Sequence, residues 1–354
     1  MAPPYGAVPL SASELIGGGM MLRFVVRRLL QVLPTLLLLS IVVFAWLRSL
    51  PGGPATAFLG DRATPESIAE LNRLMGLDQP IWVQYGRFLG RVVTGDFGTS
   101  SITGQPVLDE IGRALPATIE LSIAALVLAV GLGIPLGYVA ARYRGRPLDV
   151  ATVIGTLVGV AVPVFFLGYV LKDVFAVDLG WFPPSGRQSV AVDATNVTGF
   201  AVLDGFLTRE FDASLDALRH LVLPAITLAT IPLAVIVRIT RASVLDVLGS
   251  DFVRTANSKG LAPGTIRGRH VLRNALLPVS TTIGLQVGLL LAGAVLTERV
   301  FVWGGIGTLL ADAITLRDYP RLQAVLLLGA LVYVLVNLLV DLSYAIIDPR
   351  VRLS

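Results

Sequence analysis

The sequence holds no cysteine, which excludes disulfide staples, thiol redox chemistry and a cysteine-ligated metal. It is also poor in charge. Asp, Glu, Lys and Arg make up 15% of its 354 residues, against about a quarter in soluble domains. No Gly-Lys pair occurs, so the G-x-x-x-x-G-K-[ST] loop that cradles nucleotide phosphates is missing. The nearest stretch, "SKGLAPG", carries those elements in reverse order, and the chain does not hydrolyse ATP by that mechanism. Its two histidines, His220 and His270, stand in neither an H-E-x-x-H nor a nucleophile-elbow pattern, so an enzyme in the membrane is a weak reading. No metal site and no cofactor are expected. Short-period repeats are absent, which rules out solenoids, and no linker is long enough to separate a pair of soluble domains.

What the chain does have is apolar length. Hydrophobic residues make up 54%, and the mean hydropathy is +0.77. Six windows lack Asp, Glu, Lys and Arg and approach or exceed the roughly 20 helical residues that cross a hydrocarbon core. They are Leu29 to Leu47, Leu121 to Ala141, Val150 to Leu171, Leu221 to Val237, Ala275 to Thr297 and Leu322 to Val340. The fold class is therefore an all-α polytopic membrane protein with six transmembrane helices. Pro34, Pro135 and Pro163 predict kinks, because neighbouring helices can satisfy the backbone groups that proline frees. The fourth window is the shortest and contains Pro224 and Pro232.

An ion-coupled carrier usually keeps an ionisable residue inside a span. Here the windows are charge-free, and Glu120 and Asp341 read as helix-end carboxylates near the interface. Energy for moving a solute would have to come from elsewhere.

Six crossings divide the charges into two sets. One side takes fifteen bases, among them Arg23, Arg142, Arg241, Arg254, Lys259 and Arg273, with six acids; the other keeps thirteen bases and eighteen acids. The base-rich side is assigned to the cytoplasm, which places both termini there in a multi-pass inner-membrane protein. The sequence pI near 9.6 then reflects orientation signals at helix ends, and nucleic acid is not an expected partner.

Residues 1–20 read as a disordered extension, 21–49 as a retained first transmembrane helix, 50–116 as an extracytoplasmic helical cap, 117–348 as a five-helix core with a cytoplasmic loop at 247–274, and 349–354 as a tail. Translation from Met20 or Met21 is a separate expectation; an intact mass that includes Ala2 to Gly19 would exclude it.

In the cap, Thr64 is the N-cap of a helix with Pro65 at its first position and Glu66 in its first turn. Ile68, Leu71, Leu74 and Met75 share a face of it, and Gly76 ends it. A second helix is expected over Pro80 to Val93, with Trp82, Tyr85, Phe88 and Val92 on one side, and a third, short and amphipathic, over Pro106 to Leu115. In the second outer loop, Lys172 to Arg219, the carboxylates Asp193, Asp204, Glu210, Asp212 and Asp216 lack calcium-loop spacing and read as solvated surface. A short helix over Thr308 to Leu316 follows the glycine turn Gly304, Gly305, Gly307.

The longest segment between spans on the base-rich side is "RTANSKGLAPGTIRGRHVLRNALLP", residues 254–278. It reads as two short helices, one stopped by Gly260 as a left-handed C-cap and one started by Pro263. Its bases flank Thr255, Ala256, Leu261, Ile266 and Leu272. The residues alone leave two uses open: a knuckle that docks in a groove on a soluble partner, or a positive loop lying against anionic lipid.

"RTANSKGL" followed by "HVLRNALLP" resembles the cytoplasmic-loop signature of permease subunits of binding-protein-dependent ABC importers, in the dipeptide, oligopeptide and nickel branch. Arg254, Thr255 and Ala256 occupy the places of the general Glu-Ala-Ala motif, with Arg for Glu, and Gly260 is its glycine. "LRFVVRRLLQVLPTLLLLSIVVF", "GLDQPIWVQY", "GDFGTS", "LPATIELS", "FFLGYVL", "FPPSGR" and "RDYP" extend the resemblance over nearly the whole chain from Met21, to the B-type subunit. One departure is Gly304, where the family pattern has proline.

The resemblance implies a type I importer permease fold with a helical insertion after the first span, and a non-catalytic subunit that moves peptides by alternating access. It also implies a second homologous permease, two ATPase subunits on the cytoplasmic face and an extracytoplasmic binding protein as partners. Arg254, Thr255, Ala256, Ser258, Lys259, Gly260 and Leu261 would form the helix that couples to the ATPase. Dipeptides, longer peptides, nickel chelates, haem and oligosaccharides are all handled by similar permeases, so the solute stays open, as do the pathway residues. The competing class is a self-sufficient carrier or channel.

Overall fold

A computed structural model of the protein describes residues 18–49, 53–59, 63–192 and 194–347. The expected N-terminal extension through residue 17, Asp193 and the C-terminal tail lie outside the described residues. In chain order the helices are α1 (Gly18–Ser49), α2 (Gly53–Leu59), α3 (Pro65–Leu74), α4 (Ile81–Val93), α5 (Val107–Arg142), α6 (Pro147–Ala161), α7 (Val164–Lys172), α8 (Ala201–Leu207), α9 (Phe211–Leu248), α10 (Asp251–Ser258), α11 (Pro263–Thr265), α12 (Arg273–Phe301), α13 (Ile306–Thr315) and α14 (Tyr319–Ile347). Wide π-type turns over Asp173–Asp178 and Ile266–Leu272 extend α7 and join α11 to α12.

All six apolar windows fall on helices. Val107–Arg142, Phe211–Leu248 and Tyr319–Val340 are each long and apolar enough to cross a membrane. Pro147–Ala161 with Val164–Asp178, and Pro263–Leu290 with Gly293–Phe301, are long enough as pairs, the first bent by 101° and the second by 55°. In α1 the apolar stretch Leu33–Ser49 is shorter, but the whole helix of 32 residues runs about 48 Å at 1.5 Å per residue.

The third window departs from the expected kinked span. Val162 is extended, at φ −80° and ψ 125°, and so is Pro163, at φ −57° and ψ 131°. Proline pushes the residue before it out of the helical region and offers no N–H to the turn behind it. Two extended residues in succession turn the chain through a right angle before α7 restarts. At Pro116, Pro135, Pro224, Pro232 and Pro278 the helices continue through.

The core is the long crossing of α5 on α9, closed by α12. Ala117, Ala125 and Ala129 of α5 meet Ala225, Leu228, Ala229 and Ile236 of α9, with Val279, Leu290 and Ala294 of α12 beside them, all buried. Small residues let the backbones come close. A β-carbon at Gly133 would lie 2.8 Å from Ile236 Cγ2, and one at Gly137 would lie 2.6 Å from the Val237 carbonyl oxygen. Gly137→Leu is accordingly expected to destabilise the bundle by at least about 1–3 kcal/mol through overpacking, read as a lower midpoint of thermal unfolding in detergent; an unchanged midpoint would remove this contact from the account.

The cap is built partly as expected. Thr64 and Ser67 form a reciprocal capping box, Pro65 is the first helical residue, and Gly76 takes φ +65°. However, the apolar face of α3 is only partly covered among the described residues: Ile68 and Leu71 are half-buried, where α3 packs on α2, whereas Leu74 is 76% exposed. On α4, Tyr85 meets Phe44 of α1 edge-on and Phe88 stacks on it, at ring-centroid distances of 5.3 and 5.5 Å, and the Tyr85 hydroxyl lies 2.9 Å from Ser40 Oγ. Trp82 leaves this cluster, 73% exposed, because at about 100° per residue it sits 60–120° around the helix from the other three. The third cap helix is not separate either: Val107 opens the unbroken 36-residue α5.

Candidate functional site

The basic segment leaves α9 through Gly249 and Ser250, and Asp251 in the first turn of α10 complements the helix dipole. Gly260 takes φ +68°. Its N–H donates to the Asn257 carbonyl at 3.0 Å and the Leu261 N–H donates to the Ala256 carbonyl at 3.3 Å, the paired bonds of a Schellman stop. Among the described residues no atom beyond its chain neighbours lies within 4 Å of where a Gly260 β-carbon would be, so its backbone angle is what calls for glycine.

Pro263 does begin a helix, but that helix is not a short free one. It passes through the π turns at Ile266–Leu272 and runs on as α12. The knuckle is thereby fixed to a membrane helix at both ends.

Val253 and Ala256 face inward and are buried with Ile266, Val271, Ala275, Val244 and Ala141. Of the residues expected to couple to a partner, Ala256 is therefore an anchor. Arg254, Thr255, Ser258, Lys259, Gly260 and Leu261 are all exposed, as are Arg267, Arg269 and Arg273. Sequence reasoning missed Phe252, which is 45% exposed in the first turn of α10; a large aromatic outside the apolar pattern of a positive loop was the available signal. The Arg254–Asp251 pair, at 3.4 Å and highly exposed on both sides, contributes little.

The same end carries a second anchor. Arg241 of α9 grips Asp149 of α6 with two bonds, Nε to Oδ1 at 2.6 Å and Nη2 to Oδ2 at 2.8 Å, and the Gly145 N–H donates to Asp149 Oδ2 at 2.9 Å. This pair ties the tight turn between α5 and α6 to the helix that leads into the knuckle.

The opposite end is cross-braced by carboxylates. Glu298 is fully buried; it accepts from Thr118 Oγ1 at 2.6 Å and from the Thr308 N–H at 2.9 Å. Trp303 donates its indole N–H to the Ala117 carbonyl at 2.8 Å. Glu120 is no bare helix-end carboxylate: it pairs with Arg187 at 2.6 Å and accepts the Val202 N–H at 2.9 Å. Arg321 of α14 holds Glu110 of α5 through Nε at 2.9 Å and Nη2 at 2.7 Å. Gly304, at φ +73°, has a backbone closed to the proline of the family pattern.

The second outer loop corrects another expectation, because Asp204, Glu210 and Asp216 organise it instead of being merely solvated. Asp216 accepts from the Ser189 N–H and hydroxyl, both at 2.7 Å, and Glu210 from the Thr195 N–H at 2.9 Å and hydroxyl at 2.7 Å. Asp204 is buried and accepts from the Val197, Thr198 and Gly199 N–H groups and the Thr198 hydroxyl. Burial alone would raise its pKa, but these donors outweigh it and hold the carboxyl below the usual range. A lowered folded pKa means the stabilisation is complete above the unfolded value of about 3.9 and is lost as pH falls through the folded one. Amide-exchange protection at Val197–Gly199 is expected to hold from pH 7 to about 5 and to vanish in stronger acid, whereas Asp204→Asn should weaken it at every pH.

A family model described as "Binding-protein-dependent transport system inner membrane component" matches residues 133–353, and one for the N-terminal part of such membrane components matches residues 21–122. Among similar proteins are a dipeptide transport system permease of Alkalihalophilus pseudofirmus, 44% identical over 332 residues, and a di/tripeptide transport system permease of Pseudomonas aeruginosa, 46% identical over 333. A glutathione transport system permease of Salmonella paratyphi A is 39% identical over 332 residues. Each alignment covers 94% of this chain and 99–100% of the relative. The chain belongs to the family of binding-protein-dependent transport system inner membrane components, multi-pass proteins of the membrane.

Proposed function

We propose that the chain is one permease subunit of an ATP-driven importer that carries di- or oligopeptides across the cytoplasmic membrane by alternating access. The names of these three relatives, peptide or glutathione transport permeases, support the substrate class. The chain is non-catalytic in this reading. It pairs with a second homologous permease, two ATPase subunits sit beneath the pair, and an extracytoplasmic binding protein delivers the peptide. Both termini, the 247–274 loop and α10 face the cytoplasm, in keeping with the base excess on that side; residues 50–116 form the extracytoplasmic cap and 117–348 the core.

The observation that carries the reading is the build of α10. Its inner face is locked to α5, α9 and α12 by Val253 and Ala256, while Phe252, Arg254, Thr255, Ser258, Lys259 and Leu261 face outward. A short helix fixed on one side and open on the other moves with the bundle as a rigid piece, so closure of an ATPase around it becomes rotation of the membrane helices. The test is uptake of a labelled dipeptide by proteoliposomes holding the whole complex: accumulation requires ATP and binding protein together. ATP-independent uptake by this chain alone would assign it instead to self-sufficient carriers or channels.

A further inference from the structure

Between the end of α1, the C-terminal end of α3, α4 and the start of α14 lies a cavity of about 830 Å³. Its wall brings together three guanidinium groups, of Arg48, Arg87 and Arg91, and no carboxylate among the described residues. Among the described residues none of the three makes an ion pair or side-chain hydrogen bond. Arg48 is half-buried in the last turn of α1, its guanidinium 4.7 Å from the centre of the Phe44 ring. Arg87 and Arg91 stand on one stripe of α4, four residues apart, and both are exposed. Three unneutralised cations converging on one hollow repel each other, and one of them has lost some of its hydration, so the site favours an anion with several acceptor oxygens.

The surroundings say which anion. Arg48 directly follows the apolar stretch of α1, whose Leu37, Leu38 and Ile41 are exposed, so the cavity stands where a membrane's hydrocarbon gives way to headgroups. Leu74 and Met75 line it and are exposed. An apolar surface beside a cationic hollow suits a molecule with both characters. We propose that this cavity binds the phosphate of a membrane phospholipid, held between Arg48, Arg87 and Arg91, with the acyl chains against Leu74, Met75 and the outer side of α1. This is independent of the transported solute, and it accounts for the exposure of Leu74 and Met75 at the end of α3.

The experiment uses the full chain purified in detergent with its partner subunits and stripped of loosely held lipid. Phosphatidylglycerol, inorganic phosphate and a dipeptide are added separately, with thermal unfolding and native mass spectrometry as readouts. Phosphatidylglycerol is expected to raise the unfolding midpoint and to remain as a bound lipid, while the other two do neither at equal concentration. The variant Arg87→Gln/Arg91→Gln changes only exposed side chains, so its midpoint without lipid should match the parent. Its lipid affinity should fall about a hundredfold, the scale of two lost charge-assisted contacts, with the retained lipid gone. Equal lipid retention and an equal midpoint shift in parent and variant would overturn the proposal. So would a response to phosphate or dipeptide at this cavity without one to lipid, which would make it a site for a soluble anion.

Discussion

Arg241→Ala is expected to destabilise the protein by about 2 kcal/mol, the scale of hydrogen bonds lost from a charged group. Asp149 accepts both Arg241 bonds and one from the Gly145 N–H, and its side chain is 6% exposed. After truncation that N–H and the more distant charge of Arg144 remain to compensate it. The loss should appear as a drop of several degrees in the unfolding midpoint of the solubilised chain and as faster proteolysis at the 142–147 turn. The double change Asp149→Leu/Arg241→Met removes both charges and should recover most of the loss, since apolar replacement of a buried ion pair is often nearly neutral. If the double variant is as unstable as the single one, the pair matters for its shape and not for its charge balance.

The second large effect is on coupling. Phe252→Ala should leave the unfolding midpoint nearly unchanged, because almost half of the ring already faces solvent. It should nevertheless weaken the hold on the ATPase by about thirtyfold or more, the scale of an aromatic anchor that contributes about 2 kcal/mol at an interface. Uptake would fall accordingly while ATP hydrolysis continues without transport. The neighbouring Val253→Ala makes the contrast: Val253 is 3% exposed in the anchor cluster, so stability should fall first and uptake only in proportion to the folded fraction. Full uptake by Phe252→Ala would remove the ring from the docking face.

The contrast between these two adjacent residues also marks how far the sequence can be read. The windows were legible because lipid allows few backbone solutions and demands length. The knuckle was legible because Gly260 and Pro263 each serve one backbone geometry, and the Thr64 cap for the same reason. Which side of α10 faces the bundle was not, since eight residues carry too few turns to fix a face, and Phe252 lies just outside the basic segment. The break at Pro163 was placed correctly but undersized, because proline fixes its own φ and constrains its neighbour without saying whether the next turn resumes the same axis.

Long-range pairing was invisible. Glu120 meets Arg187 across 67 residues and Thr118 meets Glu298 across 180, and no local pattern announces either. Glu298 had one readable sign: a carboxylate a single residue past an apolar window, followed by a glycine turn whose bare amides need an acceptor. Asp204 looked like surface charge because a loop's own N–H groups, which bury it, have no sequence signature.

The central claim is that the outer face of α10 sits against an ATP-binding subunit. The chain has no cysteine, so Ser258→Cys, at an exposed position next to Lys259, gives it one thiol. With a short bifunctional reagent in the assembled, transport-competent complex, the account predicts a crosslink from position 258 to the ATP-binding subunit, and protection of the thiol from water-soluble maleimide only when that subunit is present. A thiol that reacts equally fast with and without the ATP-binding subunit, and yields no crosslink while uptake proceeds, would contradict it.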